Sequence, residues 1–106
     1  MKTYFGHRTN DGVSVIVDDG QKRRELTHQI RHSPTGLEWG YGGSGPADLA
    51  LSLLTDVLDD RSEAERLHQD FKRDVVASLP DDRWALSEEG IVDWVHQHDE
   101  RSRRSD

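Results

Sequence analysis

Trp39-Gly40-Tyr41-Gly42-Gly43-Ser44-Gly45-Pro46-Ala47-Asp48-Leu49-Ala50-Leu51-Ser52-Leu53-Leu54-Thr55-Asp56-Val57-Leu58 is the stretch in which the chain changes its hydrophobic period. Gly40, Gly42, Gly43 and Gly45 permit positive φ and close backbone approach, which ends whatever strand precedes them. Beyond them Ala47, Leu49, Ala50, Leu51, Leu53, Leu54, Val57 and Leu58 cover nearly the whole circumference of a helix. A helix apolar on most sides is buried on most sides, so Pro46–Leu58 is expected to be the central element. Pro46 fits the first helical position, where its missing N–H costs nothing, and Gly45 is the expected cap. Asp48 is expected in the first turn, facing the free N–H groups at the positive end of the helix dipole.

Toward the N-terminus the period is that of strands. Thr3–Arg8 carries Tyr4 and Phe5, and Thr9-Asn10-Asp11-Gly12 supplies a hairpin signal. Val13, Val15 and Val17 alternate on one face with Ile16 on the other, and Asp18-Asp19-Gly20 closes that strand. A third strand is expected over Glu25–His32, with Leu26, His28 and Ile30 on one face. Ser33-Pro34-Thr35-Gly36 fits a type I turn, after which Leu37-Glu38-Trp39 is expected to return as a short fourth strand. Loops this short imply an antiparallel meander.

Toward the C-terminus the period becomes helical. Ala64, Leu67, Phe71, Val75 and Leu79 form a narrow stripe, so Glu63–Leu79 is expected to be a surface helix ended by Pro80. Ser87 suits the cap of a third helix with Glu88 and Glu89 in its first turn and Ile91, Trp94 and Val95 as its stripe. Asp99–Asp106 is charged and almost without apolar residues, as a frayed tail would be. The expected architecture is therefore α+β. A three- to four-stranded antiparallel meander is followed by three helices on one face, in a single domain over residues 1–98 with a flexible tail at 99–106.

The totals set bounds on function. A chain of 106 residues, 32% of them hydrophobic, has room for one thin core, so a site is expected on the surface rather than in an enclosed chamber. There is no Cys, which removes disulfides, thiolate metal sites and cysteine nucleophiles. No apolar run reaches the length of a membrane span and the N-terminus lacks a secretion signal, so a cytoplasmic location is expected. The formal charge of −7 argues against nonspecific nucleic-acid binding, which needs a positive field over phosphates.

The string His32-Ser33-Pro34-Thr35-Gly36, Trp39-Gly40-Tyr41-Gly42-Gly43-Ser44-Gly45-Pro46-Ala47 and Leu49-Ala50-Leu51 resembles the hallmark of a family of small proteins without assigned function, found in bacteria, archaea, phages and plasmids. The looser pattern Phe71, Val75-Val76, Leu79-Pro80, Trp84, Leu86-Ser87, Ile91 and Trp94 is also similar. The resemblance implies common ancestry and a mobile-element setting. It brings no activity.

Several residues invite chemical readings. Free N–H groups at the start of the central helix are able to hold a phosphate or carboxylate. Pro46 removes one donor, however, Asp48 competes for the positive end, and no Lys follows the glycines as a P-loop requires. Ser44 stands one residue short of a nucleophile elbow, because Pro46 replaces the last glycine, and its partners would have to be His32 and Asp48. His28 and His32 are four apart, a span of about 13 Å on a strand, which is too far for one metal ion. Arg8, Lys22, Arg23, Arg24 and Arg31 gather in the sheet half, while Asp56, Asp59, Asp60, Glu63, Glu65, Asp70 and Asp74 form an acidic helical pole.

The first expectation is a non-enzymatic interaction module that binds another protein through the turn-and-aromatic surface or the acidic helical face. The alternative is a small anion or nucleotide binder built on the backbone of the glycine turn, helped by Arg31 or His32. The candidate binding residues are Arg31, His32, Trp39, Tyr41, Gly42, Gly43, Ser44, Gly45 and Asp48. No catalytic set, metal site or cofactor is expected, and a hydrolase using Ser44 ranks third.

Overall fold

The computed structural model describes residues 1–33 and 35–104, so the expected turn through Pro34 and the tail residues 105–106 lie outside the described residues. The order of elements is β1 (Thr3–Thr9), β2 (Gly12–Asp18), β3 (Arg23–Glu25), α1 (Ser44–Leu58), α2 (Arg61–Asp74), β4 (Arg83–Ser87) and α3 (Glu88–Arg104). A single 3-10 turn, Val76–Ser78, follows α2. The strands form one antiparallel sheet in the order β3-β2-β1-β4, and the α+β class stands. No described helix is long and apolar enough to cross a membrane.

The hairpin at Asn10-Asp11 joins β1 to β2, with Thr9 opposite Gly12 and Tyr4 opposite Val17. Alternation then turns Tyr4, Val15, Val17 and Trp84 inward, where they join the core with α1. Gly6 belongs to the same inner row: a Cβ added there would fall 2.1 Å from Trp84 Cε2, so its bare backbone is the hollow that receives the indole. Leu49, Leu51, Leu53 and Leu54 of α1 are all fully buried, each worth roughly 1.5–3 kcal/mol over exposure. The apolar circumference of α1 is thus matched by neighbours on most sides.

Three expectations are corrected. The third strand stops at Glu25: Leu26 still reaches the core and its N–H still donates to Val15, but Gln29–Ser33 turn toward α1 and Ile30 is exposed. Leu37-Glu38-Trp39 forms no strand. Instead the sheet is completed by Arg83–Ser87, which pairs with β1 after two helices, so the helices do not simply follow the sheet. The expected helix over Glu63–Leu79 closes at Asp74, with Val75 leaving helical geometry before the 3-10 turn.

The helix ends follow local chemistry. Asp60 caps α2 by accepting the N–H of Glu63 at 3.2 Å, and Ser87 Oγ accepts the N–H of Gly90 at 2.9 Å, as its capping role requires. The third helix continues to Arg104, past the start of the expected tail, and Arg66 of α2 donates to Asp99 at 3.1 Å. At the far end of α1, Asp56 accepts from Tyr4 Oη at 2.7 Å, Lys2 Nζ at 3.1 Å and Arg24 Nη2 at 2.7 Å, tying helix to sheet. Burial alone would raise the Asp56 carboxyl, but these donors outweigh it and hold it below the ordinary value.

Candidate functional site

Beyond Leu26, whose N–H still reaches Val15, the loop through Gly43 makes no strand ladder, yet its backbone donors must find acceptors where they are buried. They find side chains of α1. Asp48 is completely buried, and its Oδ1 accepts the N–H of His32 at 2.8 Å while Oδ2 accepts that of Ser33 at 3.0 Å. The Arg31 N–H lies 3.3 Å from both oxygens, and His28 Nε2 donates to Oδ2 at 2.8 Å. One turn along the same helix face, Ser52 Oγ accepts the N–H of Gln29 at 2.8 Å. Desolvation opposes charge on Asp48, but the donors from His28, Ser33, His32 and Arg31 prevail and keep its pKa below the ordinary carboxylate value.

This corrects the role expected of Asp48. The helix begins at Ser44 with Gly43 as its cap, which places Pro46 at the third helical position and Asp48 beyond the first turn. From there the carboxylate points at the loop, not at the helix start. An acidic side chain and a serine four residues apart within the otherwise apolar run Pro46–Leu54 were the sequence signal for it.

Two histidines close the loop against α2. His68 Nδ1–H donates to the Glu65 carbonyl at 2.7 Å, which leaves its Nε2 as acceptor for the Nε2–H of His32 at 2.9 Å. Burial pushes the His68 imidazole below its ordinary pKa, with the neighbouring His32 and Arg31 acting the same way. His28 and His32 therefore serve different partners. Among the described residues no three His, Asp or Glu side chains gather as a metal centre would require. Ser33 Oγ donates to the Gly36 carbonyl at 3.0 Å, and both histidines are engaged away from the exposed Ser44, so the expected elbow partners are not brought to it.

The glycine turn divides by position. Gly40 has φ of 87° and donates to the Val76 carbonyl at 3.1 Å, a conformation that side chains resist. Gly43 and Gly45 are glycines for space: added Cβ atoms would meet the Tyr41 ring at 2.5 Å and Glu38 Cβ at 2.7 Å. Nothing in the structure explains glycine at Gly42. Trp39 is only 1% exposed; its Nε1 donates to the Asp81 carbonyl at 3.0 Å, its ring meets Trp84 edge-on, and the Arg8 guanidinium lies over it. Of the two aromatics expected at the surface, only Tyr41, 53% exposed, is available.

Between β2 and this pinned loop runs a cleft of about 470 Å³, walled by Val13, Ser14, Leu37, Glu38, Tyr41 and Gly45. Gly12–Ser14 of β2 lie beyond the end of β3, so the cleft follows an uncovered part of the sheet edge. Ser44 also borders it, and Glu25 stands at its other side. Glu38 receives both terminal nitrogens of Arg8, at 3.1 and 2.8 Å, which lowers its pKa. Glu25 has no ion-pair partner among the described residues.

Four of the five cations expected to form a positive patch in the sheet half are paired, Arg8 with Glu38 and Asp81, Arg23 with Asp18, Arg24 with Asp56, and Arg31 with Glu65, and Lys22 has no ion-pair partner among the described residues. Much of the acidic helical pole is likewise occupied, Glu63 by Arg66 and Asp70 by Arg73 and His98. With this geometry established, residues 4–97 match the model of DUF6166, a family of unknown function, and the chain belongs to that family. No curated protein and no solved structure matches it.

Proposed function

We propose that this protein is a non-enzymatic interaction module that takes a cationic segment of a partner protein in the cleft between β2 and the Leu26–Gly43 loop. The observation that carries the reading is the lining of that cleft: an exposed Tyr41 and the carboxylate of Glu25, which has no ion-pair partner among the described residues, with Glu38 held by Arg8. An aromatic surface and the unpaired charge of Glu25 in one cleft attract lysine or arginine, and Tyr adds contact area at small entropic cost. The paired state of the surface arginines supports a protein partner over a phosphate backbone. A phage, plasmid or host accessory role is part of this proposal and follows from the motif resemblance alone.

An anion or nucleotide at the glycine turn is less well supported. The Ser44 and Gly45 backbone borders the cleft, but the carboxylates share it and Asp48 is committed to the loop. A peptide array containing basic, neutral and acidic extended sequences, followed by amide-shift titration, tests the proposal. Basic sequences should be selected and should move Val13, Ser14 and Leu37, with affinity falling at least fivefold in Glu25→Gln and in Tyr41→Ala. Selection indifferent to peptide charge would contradict it, as would inorganic phosphate shifting Ser44 and Gly45.

A further inference from the structure

The opposite edge of the sheet has its own features, independent of the cleft. In the β1–β4 ladder the Glu88 N–H donates to the Lys2 carbonyl and the Arg8 N–H to the Asp82 carbonyl, both at 2.9 Å. Antiparallel pairs alternate between bonded and non-bonded positions. With Tyr4 opposite Leu86 and Gly6 opposite Trp84, the even-numbered residues of β4 face β1, and the N–H and C=O groups of Arg83 and Ala85 point off the edge. Both residues are exposed, and among the described residues no strand lies beyond them.

Alongside that edge is an apolar groove of about 270 Å³ lined by Phe71, Val75, Leu86, Ile91 and Trp94. Trp94 packs edge-on against Phe71 and is fixed by donating its Nε1–H to Asp74 at 3.0 Å. Unpaired backbone groups next to an apolar groove form the two halves of strand-addition recognition: main-chain bonds give affinity, and the groove selects alternate side chains.

Charge identifies the occupant. Many acids of α2 are paired with arginine, whereas Asp82 and Glu88, which flank β4, and Glu89 and Asp93 in the first turns of α3 have no ion-pair partner among the described residues. A second copy of this chain, paired β4 to β4 about a twofold axis at Ala85, would set Asp82 opposite Glu88 at both ends. Like charges directly opposite are destabilising. The one cation of β4, Arg83, lies opposite His7 in the row on the outer face and does not border the groove.

We infer that β4 is a strand-addition site for an extended segment of another protein, with an apolar residue at its centre and lysine or arginine toward both ends. The apolar residue enters the groove beside Leu86 and Trp94, and the flanking cations meet Asp82 at one end and Glu89 and Asp93 at the other. The distance from Asp82 to Glu88 along the strand, roughly 20 Å, sets the spacing of the cations.

The probe is a short synthetic peptide alternating threonine with valine or leucine between terminal lysines, titrated into the full chain while backbone and indole N–H signals are followed. The expected result is movement of the Arg83 and Ala85 amides and the Trp94 indole, with Val13 and Leu37 unmoved. Binding should fall at least tenfold when the peptide backbone is N-methylated at alternate residues, or when its lysines become glutamates. Ala85→Pro removes an outward donor without touching the β1 ladder, as an edge strand tolerates, and should weaken binding comparably. The N-methylated peptide gives the same answer if that variant fails to fold. Unmoved β4 amides, or equal binding of the N-methylated peptide, would overturn the inference. So would concentration-dependent dimerisation that shifts these same amides without peptide, since the edge would then belong to a second copy.

Discussion

The loop Gln29–Ser33 and the strand Arg83–Ser87 are both short, and both lie against the same core, yet their backbone groups are satisfied by opposite means. In the loop, three successive N–H groups converge on the one carboxylate of Asp48. In the strand, the donors and acceptors that face β1 are shared out along a ladder, and the indole of Trp84 is received by Gly6. The Arg31–Ser33 amides therefore depend on a single charge in a dry place, while the strand depends on shape and on many equivalent bonds. The Arg31–Ser33 segment, which brings Ser33 to the cleft, is thus held by chemistry that can be switched off at one atom group, and the β4 edge is not.

The largest expected effect comes from breaking the loop's anchor. Asp48→Ala leaves three backbone donors and His28 without their acceptor, and should cost about 3–5 kcal/mol in urea unfolding. On the strand side, Gly6→Ala drives a methyl group into the Trp84 indole and should cost about 1–3 kcal/mol, with no selective loosening of the loop. Gly40→Ala forces a side chain into φ of 87° and should cost about 1–2 kcal/mol by the same measurement.

Acid should separate the two regions without mutation. His68 is held neutral by burial, so its folded pKa lies below the unfolded value near ~6.5. Its neutral state therefore contributes fully above that pH, and the contribution is lost as pH falls toward the folded pKa. Asp48 behaves in the same sense at lower pH: its contribution is present above the unfolded value near ~3.9 and disappears as pH falls through the depressed folded value. Intrinsic-rate-corrected hydrogen exchange should show His32 and Ser33 opening more at pH 5 than at pH 7, while Leu86 and Trp84 change little.

This contrast also explains what could be read from the residues alone. The valine alternation and the Asn10-Asp11 hairpin determine their own pairing, and the apolar circumference of α1 determines its burial. Leu26, His28 and Ile30 alternate like a strand, but alternation cannot say whether a neighbouring strand is available. Asp48 offers the nearby N–H groups a better acceptor than solvent, and the strand ends at Glu25. Arg83–Ser87 lacks long alternation because it is an edge strand whose partner, β1, lies some eighty positions earlier in the sequence. Separations of 36 and 42 positions likewise hid His68 from His32 and Asp81 from Trp39. The glycine turn was legible as the start of the central helix, though no strand leads directly into it and the reason for Gly45 is the body of Glu38.

Residue-resolved native hydrogen exchange of Asp48→Asn against the wild-type chain tests most directly that one carboxylate holds the Arg31–Ser33 segment at the edge of the cleft. The substitution keeps the shape and removes the charge. Protection should fall by at least tenfold at Arg31, His32 and Ser33 and stay within about twofold at Tyr4, Trp84 and Leu86, the fold difference being the change in local opening free energy. Equal loss of protection in loop and sheet, or no loss at the three loop amides, would contradict the account.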